Sequence, residues 1–134
     1  MGGNGMKKWT LLIVAVLCIF VVGCAQQPES ENASGAINAA KKSDVIVLFL
    51  GEESILSGES HCRADISLPG KQSELINTLS TLGKPIVGVV MAGRPLTFEE
   101  EAKKLDAILY AWHPGTMAGP ALRDLLFGFD SPSG

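Results

Sequence analysis

Three short, continuously apolar stretches recur along this chain, separated by segments of different periodicity: Val45 to Leu50, Ile86 to Met91, and Ala107 to Ala111. The first two are rich in β-branched residues and show no polar alternation, which predicts strands with both faces covered. Between them, Leu75, Ile76, Leu79 and Leu82 fall at helical spacing, predicting a helix from about Gly70 to Leu82 that Gly83 stops. A short helix is expected from Phe98 to Lys104, with Glu99, Glu100 and Glu101 at its start and Lys103 and Lys104 at its end, the signs favoured by the helix dipole. Ser34 is placed to cap a helix through Lys42, and a last helix runs from Thr116 to Phe127, irregular near Pro120. Strands alternating with helices predict an α/β fold: a partial αβα sandwich on a mostly parallel sheet. Three strands are few, and such a sheet leaves edges that a complete domain normally covers.

The N-terminus follows another pattern. Lys7 and Lys8 precede an uncharged, mostly aliphatic run from Trp9 to Val22, which ends at Val21-Val22-Gly23-Cys24. A basic start, a short apolar core and a small residue before the break describe a secretory signal. The cysteine after Gly23 resembles the lipobox of bacterial lipoproteins, which implies cleavage before Cys24 and lipidation there. The competing reading is a membrane-spanning helix, since Trp9 to Pro28 is long enough to cross. The cleavage-site pattern favours the lipoprotein. The expected organisation is residues 1–23 as signal peptide, 24–33 as a polar tether and 34–134 as one domain, exported and anchored by lipid to the cell-envelope membrane.

Composition narrows the function classes. With 46% hydrophobic and 19% charged residues, a packed core is within reach and disorder of the body is not expected. Two of the eleven basic residues precede Cys24 and all fourteen acidic ones follow it, so the body is acidic and a poor partner for nucleic acid. Cys62 is the one cysteine after Cys24, which leaves no internal disulfide framework. Neither CxxC nor HExxH occurs, and His61 and His113 lie far apart in sequence, so no metal site or cofactor is expected. The phosphate-binding patterns GxGxxG and GxxxxGK[ST] are absent too.

Chemistry concentrates in residues 51–69, a segment too long for a simple connection, placed where α/β sheets bind ligands: after the carboxyl end of a strand. It carries Glu52, Glu53, Glu59, His61, Arg63 and Asp65, a set suited to general acid/base work on a polar substrate. Pattern alone does not choose among the acids. The plainest expectation makes Glu52 and Glu53 solvated, pairs Arg63 with Asp65, leaves Cys62 buried and gives Arg94 the task of pinning the turn after the second strand.

The stretches GEESILSGESHCRADISLPGKQ, LGKPIVGVVMAGRPL, LDAILYAWHPGT and LLFGFDSPSG resemble, in order and spacing, successive blocks of the second domain of family 3 glycoside hydrolases. The resemblance runs from about Ala36 to Gly134. It implies an α/β sandwich leaning over the mouth of a (β/α)8 barrel that supplies an aspartate nucleophile, and retaining hydrolysis of a β-linked glycoside or oligosaccharide. Glu59, in SGESHCRAD, matches the acid/base, with His61, Arg63, Asp65 and Trp112 expected around the substrate. Such a mechanism sets the two carboxyl groups about 5 Å apart and raises the acid's pKa by burial. The chain departs from the family in three ways. The signal leads into the second domain after the short tether of residues 24–33, where the barrel would stand, which leaves a fragment, a deletion product or a half that pairs with a barrel in trans. The family's sandwich extends beyond the block that ends this chain. Met117 stands where the family usually has a glutamate. The expectation is an acid/base domain without its nucleophile, or, alternatively, a lipid-anchored carbohydrate-binding or interaction module without catalysis, with Trp112 and His113 as its sugar contacts, or an inert truncated product.

Overall fold

The computed structural model describes residues 29–133, and the signal region with Cys24 lies outside them. Among the described residues four α-helices and three strands follow in the order α1 (Glu29–Lys42), β1 (Ile46–Gly51), α2 (Gln72–Ser80), β2 (Ile86–Met91), α3 (Glu99–Ala102), β3 (Ala107–Tyr110) and α4 (Ala118–Leu126), with a single 3-10 turn at Ser54–Leu56 after β1. The sheet is parallel throughout, in the order β1-β2-β3. Ile46 stands beside Ile86 and Gly51 beside Met91, while Val87 to Val90 pair with Ala107 to Tyr110. This is the α/β architecture that the alternation of periods predicts.

Helix α1 begins five residues ahead of the expected Ser34, so Glu29 to Ala33 of the predicted tether are helical. Acidic residues suit a first turn, and Glu29 and Glu31 supply them in the sequence. The C-terminus of α1 is held from outside: the Lys84 ammonium donates to the Lys41 carbonyl at 2.7 Å and to that of Ser43. Helix α2 is shorter than expected at both ends, and α3 is a single turn.

The core lies on one face of the sheet. Ile46, Leu48 and Leu50 of β1 and Ile86 and Val90 of β2 pack with Ala40 of α1 and with Ile76 and Leu79 of α2. Leu105 presses on Gly88 so closely that a Cβ there would sit 2.8 Å from it. On the opposite face, Val47, Phe49, Val87 and Met91 are only half-buried, though Val89 is fully covered. The prediction of strands with both faces covered is therefore corrected: the second face is only partly covered. Edge strand β1 alternates buried and half-buried positions, the central strand β2 is buried at four of its six, and the amino end of β3 is exposed. Burying these positions fully takes a second helical layer as broad as α1 and α2 make on the first. No helix of the described residues is long and apolar enough to cross a membrane.

Candidate functional site

The loops at the carboxyl ends of the three strands converge, and two glycines record how closely. At Gly51, φ is +137° and a Cβ would fall 1.8 Å from the Met91 carbonyl oxygen. No side chain fits there. Gln72, at the start of α2, grips the same residue from both sides: the Gly51 amide donates to Gln72 Oε1 at 2.9 Å, and Gln72 Nε2 donates to the Gly51 carbonyl at 2.7 Å. At Gly93, after β2, a Cβ would meet Ser57 Oγ at 2.0 Å and His113 Nε2 at 2.5 Å. The missing side chain lets the loop after β1 and the loop after β3 meet over the turn after β2.

Below the tip of the first loop lies a charged cluster that the sequence reading misassigned. Glu52 is not solvated: its side chain has 0% exposure, and each carboxylate oxygen takes an arginine. Arg63 Nη1 donates to Oε2 at 2.7 Å and Arg94 Nε to Oε1 at 2.9 Å. Arg63 therefore pairs with Glu52 and not with Asp65, whose carboxylate instead accepts the Ser67 amide at 2.9 Å. Arg63 also donates to the Ser67 carbonyl at 3.1 Å. Arg94 does not pin its own turn. Its Nη2 donates to the Leu56 carbonyl and, at 3.2 Å, to that of His61, in the loop after β1. The turn of Arg94 is held by Tyr110 of β3, whose hydroxyl donates to the Arg94 carbonyl at 2.6 Å and accepts the Leu96 amide at 3.0 Å.

The electrostatics follow from that geometry. Burial pushes the Glu52 carboxyl upward, and the hydrogen bonds and charges of Arg63 and Arg94 outweigh it, so its pKa lies below the ordinary carboxylate range. Asp65 is likewise lowered, chiefly by the Ser67 amide. A buried carboxylate with both oxygens occupied is poorly placed to exchange protons with a substrate.

Glu59 is placed differently. It is exposed, and among the described residues no hydrogen bond or ion pair holds its carboxylate. It lies between Gly58 (φ +143°) and Ser60 (φ +65°), in a tight turn whose ends, Leu56 and His61, are both tied to Arg94. His61 and Cys62 are exposed, so the buried thiol expected from the sequence is not observed. Trp112, directly after β3, is 51% exposed and adopts φ +51°, a left-handed conformation rare for a bulky residue. Its ring rests on that of Tyr110, with centroids 4.6 Å apart. Met117 is exposed on the approach to α4. Of the expected substrate residues, Glu59, His61, Asp65 and Trp112 thus present free surface, whereas Arg63 is engaged with Glu52. Among the described residues no group of three or more His, Cys, Asp or Glu is arranged to hold a metal ion.

Sequence reasoning missed the meeting of Ser57 and His113 with Gly93, and the link from Glu52 to Arg94. The available signal was the surplus of charge in a loop ending an apolar strand, but no local pattern joins positions 52 and 94.

Comparison with known proteins accords with this architecture. Residues 2–134 match the glycosyl hydrolase family 3 C-terminal domain. The periplasmic beta-glucosidase of Salmonella typhimurium is 40% identical over 124 residues, covering 91% of this chain and 16% of that protein. A beta-xylosidase of Formosa agariphila is also 40% identical, over 78% of this chain and 14% of its own length. Among solved structures, the beta-glucosidase of Listeria innocua superimposes with a TM-score of 0.76 at 42% identity, covering 81% of this chain and 15% of that one. The GH3 beta-glucosidase of Bifidobacterium adolescentis gives 0.75 at 33% identity, over 82% and 16%. The chain spans about a sixth of the length of these relatives. On the match along its length and the shared fold, it belongs to glycosyl hydrolase family 3, through that family's C-terminal domain.

Proposed function

We propose that this domain supplies the acid/base of a retaining β-glycosidase, with Glu59 as the proton donor. The observation that carries the reading is an exposed carboxylate, free of protein partners, on a turn anchored at both ends above the carboxyl edge of the sheet. A general acid has to be reachable by the leaving-group oxygen and held in one place. Glu59 meets both conditions, and Glu52 meets only the second. The nucleophile is an aspartate on a (β/α)8 barrel against which this edge closes. Closure would remove Glu59 from water, the setting an acid catalyst requires. Glu59 first protonates the leaving oxygen and then, as a carboxylate, activates the water that releases the sugar. Trp112 offers an aromatic face to a sugar ring, and His61 and Asp65 offer polar contacts. The substrate class is a β-linked glucoside or xyloside, the two activities named among the relatives above.

Export and a lipid anchor at Cys24 complete the proposal, supported by the run from Lys7 to Cys24. A Cys24→Ser variant should move the chain from the membrane fraction to the soluble one, and retention would sink this part.

The test of catalysis is hydrolysis of an aryl β-glucoside by the purified chain mixed with the barrel domain of a family 3 β-glucosidase. Glu59→Gln is expected to lower turnover by roughly a thousandfold or more. Equal turnover by both proteins rules out Glu59 as the acid. The second reading, a carbohydrate-binding module, rests on the exposed, Tyr110-backed ring of Trp112. It predicts saturable glucoside binding that Trp112→Ala removes, with no turnover at all.

A further inference from the structure

The charged cluster under the loop has no part in the chemistry just described, yet its geometry is aimed at the residue that has. Arg94 donates through one nitrogen to the carbonyls of Leu56 and His61, and these two residues bracket Ser57-Gly58-Glu59-Ser60. One guanidinium therefore sets the distance between the two ends of the turn that presents Glu59. The plane of that guanidinium is set in turn by Glu52, which accepts from Arg94 Nε on one oxygen and from Arg63 on the other. Arg63 carries the restraint to the far end of the loop through the Ser67 carbonyl, beside which the Thr97 amide donates to that of Ile66 at 2.9 Å. Glu52 itself cannot wander. It directly follows Gly51, which Gln72 and the Met91 carbonyl confine, and its own amide donates to that carbonyl at 3.2 Å. Sheet position thus passes through Glu52 to Arg94 and from Arg94 to both ends of the turn.

We propose that Glu52 is a positioning residue for Glu59, acting through Arg94 to hold the turn from Leu56 to His61 in the one shape that presents the Glu59 carboxylate. The assignment rests on the acid/base reading of Glu59 for its purpose, though not for its mechanics. A carboxylate is needed, because an amide oxygen carries no charge to orient two guanidinium groups. Without it, Arg63 and Arg94 are left facing each other as like charges, and Arg94 can swing toward water, releasing both carbonyls.

Three amides report on the turn: Leu56, Ser57 and His61 donate to the carbonyls of Glu53, Ser54 and Gly58. Two report on the sheet: Ile46 donates to Pro85 and Ala111 to Val90. Hydrogen exchange of the full chain is compared with that of Glu52→Gln. The expected result is exchange at least about tenfold faster at the three loop amides with the two sheet amides unchanged. Unchanged loop amides would overturn the proposal. So would acceleration of all five in step, the signature of a merely structural role. Should Glu52→Gln fail to fold, Arg94→Lys decides by the same amides, since it keeps the charge beside Glu52 and loses the fork that spans two carbonyls. In the barrel-supplemented assay, Glu52→Gln should lower kcat about tenfold or more and leave KM within about twofold. If Glu59→Gln proves as active as the parent chain, the acid/base reading fails while the exchange result stands on its own.

Discussion

The sheet and the loop above it are held together by different forces. At the sheet, Ile46, Ile86 and Val90 are buried with Ile76 and Leu79 of α2, and the stabilising term is loss of apolar surface from water. That term has no direction, so any apolar residue of suitable volume contributes. In the loop, three charged side chains and a handful of carbonyls hold the chain, and every bond has a direction. A sheet of this kind degrades gradually as volume is removed. A loop of the second kind loses its shape when one group changes charge, because the remaining groups then repel or go unpaired.

Where the two regions join, a single change should damage both. Gly51→Ala places a methyl group within the Met91 carbonyl, at a φ that L-residues rarely adopt. A loss of about 4 kcal/mol or more is expected, read as a lowered midpoint in urea or as failure to fold. Stability equal to that of the parent would mean the junction is far softer than its geometry implies.

Next in size is a change confined to the apolar core against the sheet. Ile76→Ala removes a fully buried side chain from α2 and should cost about 2–5 kcal/mol in equilibrium unfolding. The three loop amides should then accelerate only as far as the sheet amides do. A selective effect on the loop would show that the two regions are not separately held.

Acid should separate them in the opposite sense. The Glu52 carboxyl is depressed in the folded chain, so its contribution is complete above the ordinary carboxylate pKa, roughly pH 4. It is lost as pH falls through the lower folded value. Loop amides, after correction for the intrinsic pH dependence of exchange, should therefore lose protection below about pH 4 before the sheet amides do. Loss that begins near neutrality would point to a group other than Glu52.

The smallest effect belongs to charges that only decorate the surface. Lys103 pairs with Glu99 at 3.2 Å and Glu100 at 2.7 Å, all of them well exposed. Lys103→Ala should leave the unfolding midpoint within measurement error, because exposed pairs are screened by water and salt. A clear drop would mean that charge alone, without burial, holds parts of this molecule.

These contrasts track what the sequence made legible. Strand β2 was readable to the residue, because an unbroken apolar run between Pro85 and Gly93 has one economical interpretation. The start of α1 was not, since the polar stretch before Ser34 reads equally well as tether or as helix. The exposure of Glu59 and the position of Arg63 in the same loop as Glu52 could be anticipated as possibilities. That Arg63 would take Glu52 and leave Asp65 to the Ser67 amide could not, because the three residues are interchangeable by local pattern.

By itself the sequence determined the α/β architecture, the parallel order of elements, the family to which the chain belongs and the loop that concentrates its chemistry. Periodicity and composition are local properties, and burying an apolar run requires little more than a partner face. Only the tertiary structure decided that the sheet is well covered on one side, that Ser57 and His113 both close on Gly93, and that Glu52 lies buried between Arg63 and Arg94. Each of these joins residues distant in sequence, and the sign and direction of a charged contact depend on where the chain brings its partners.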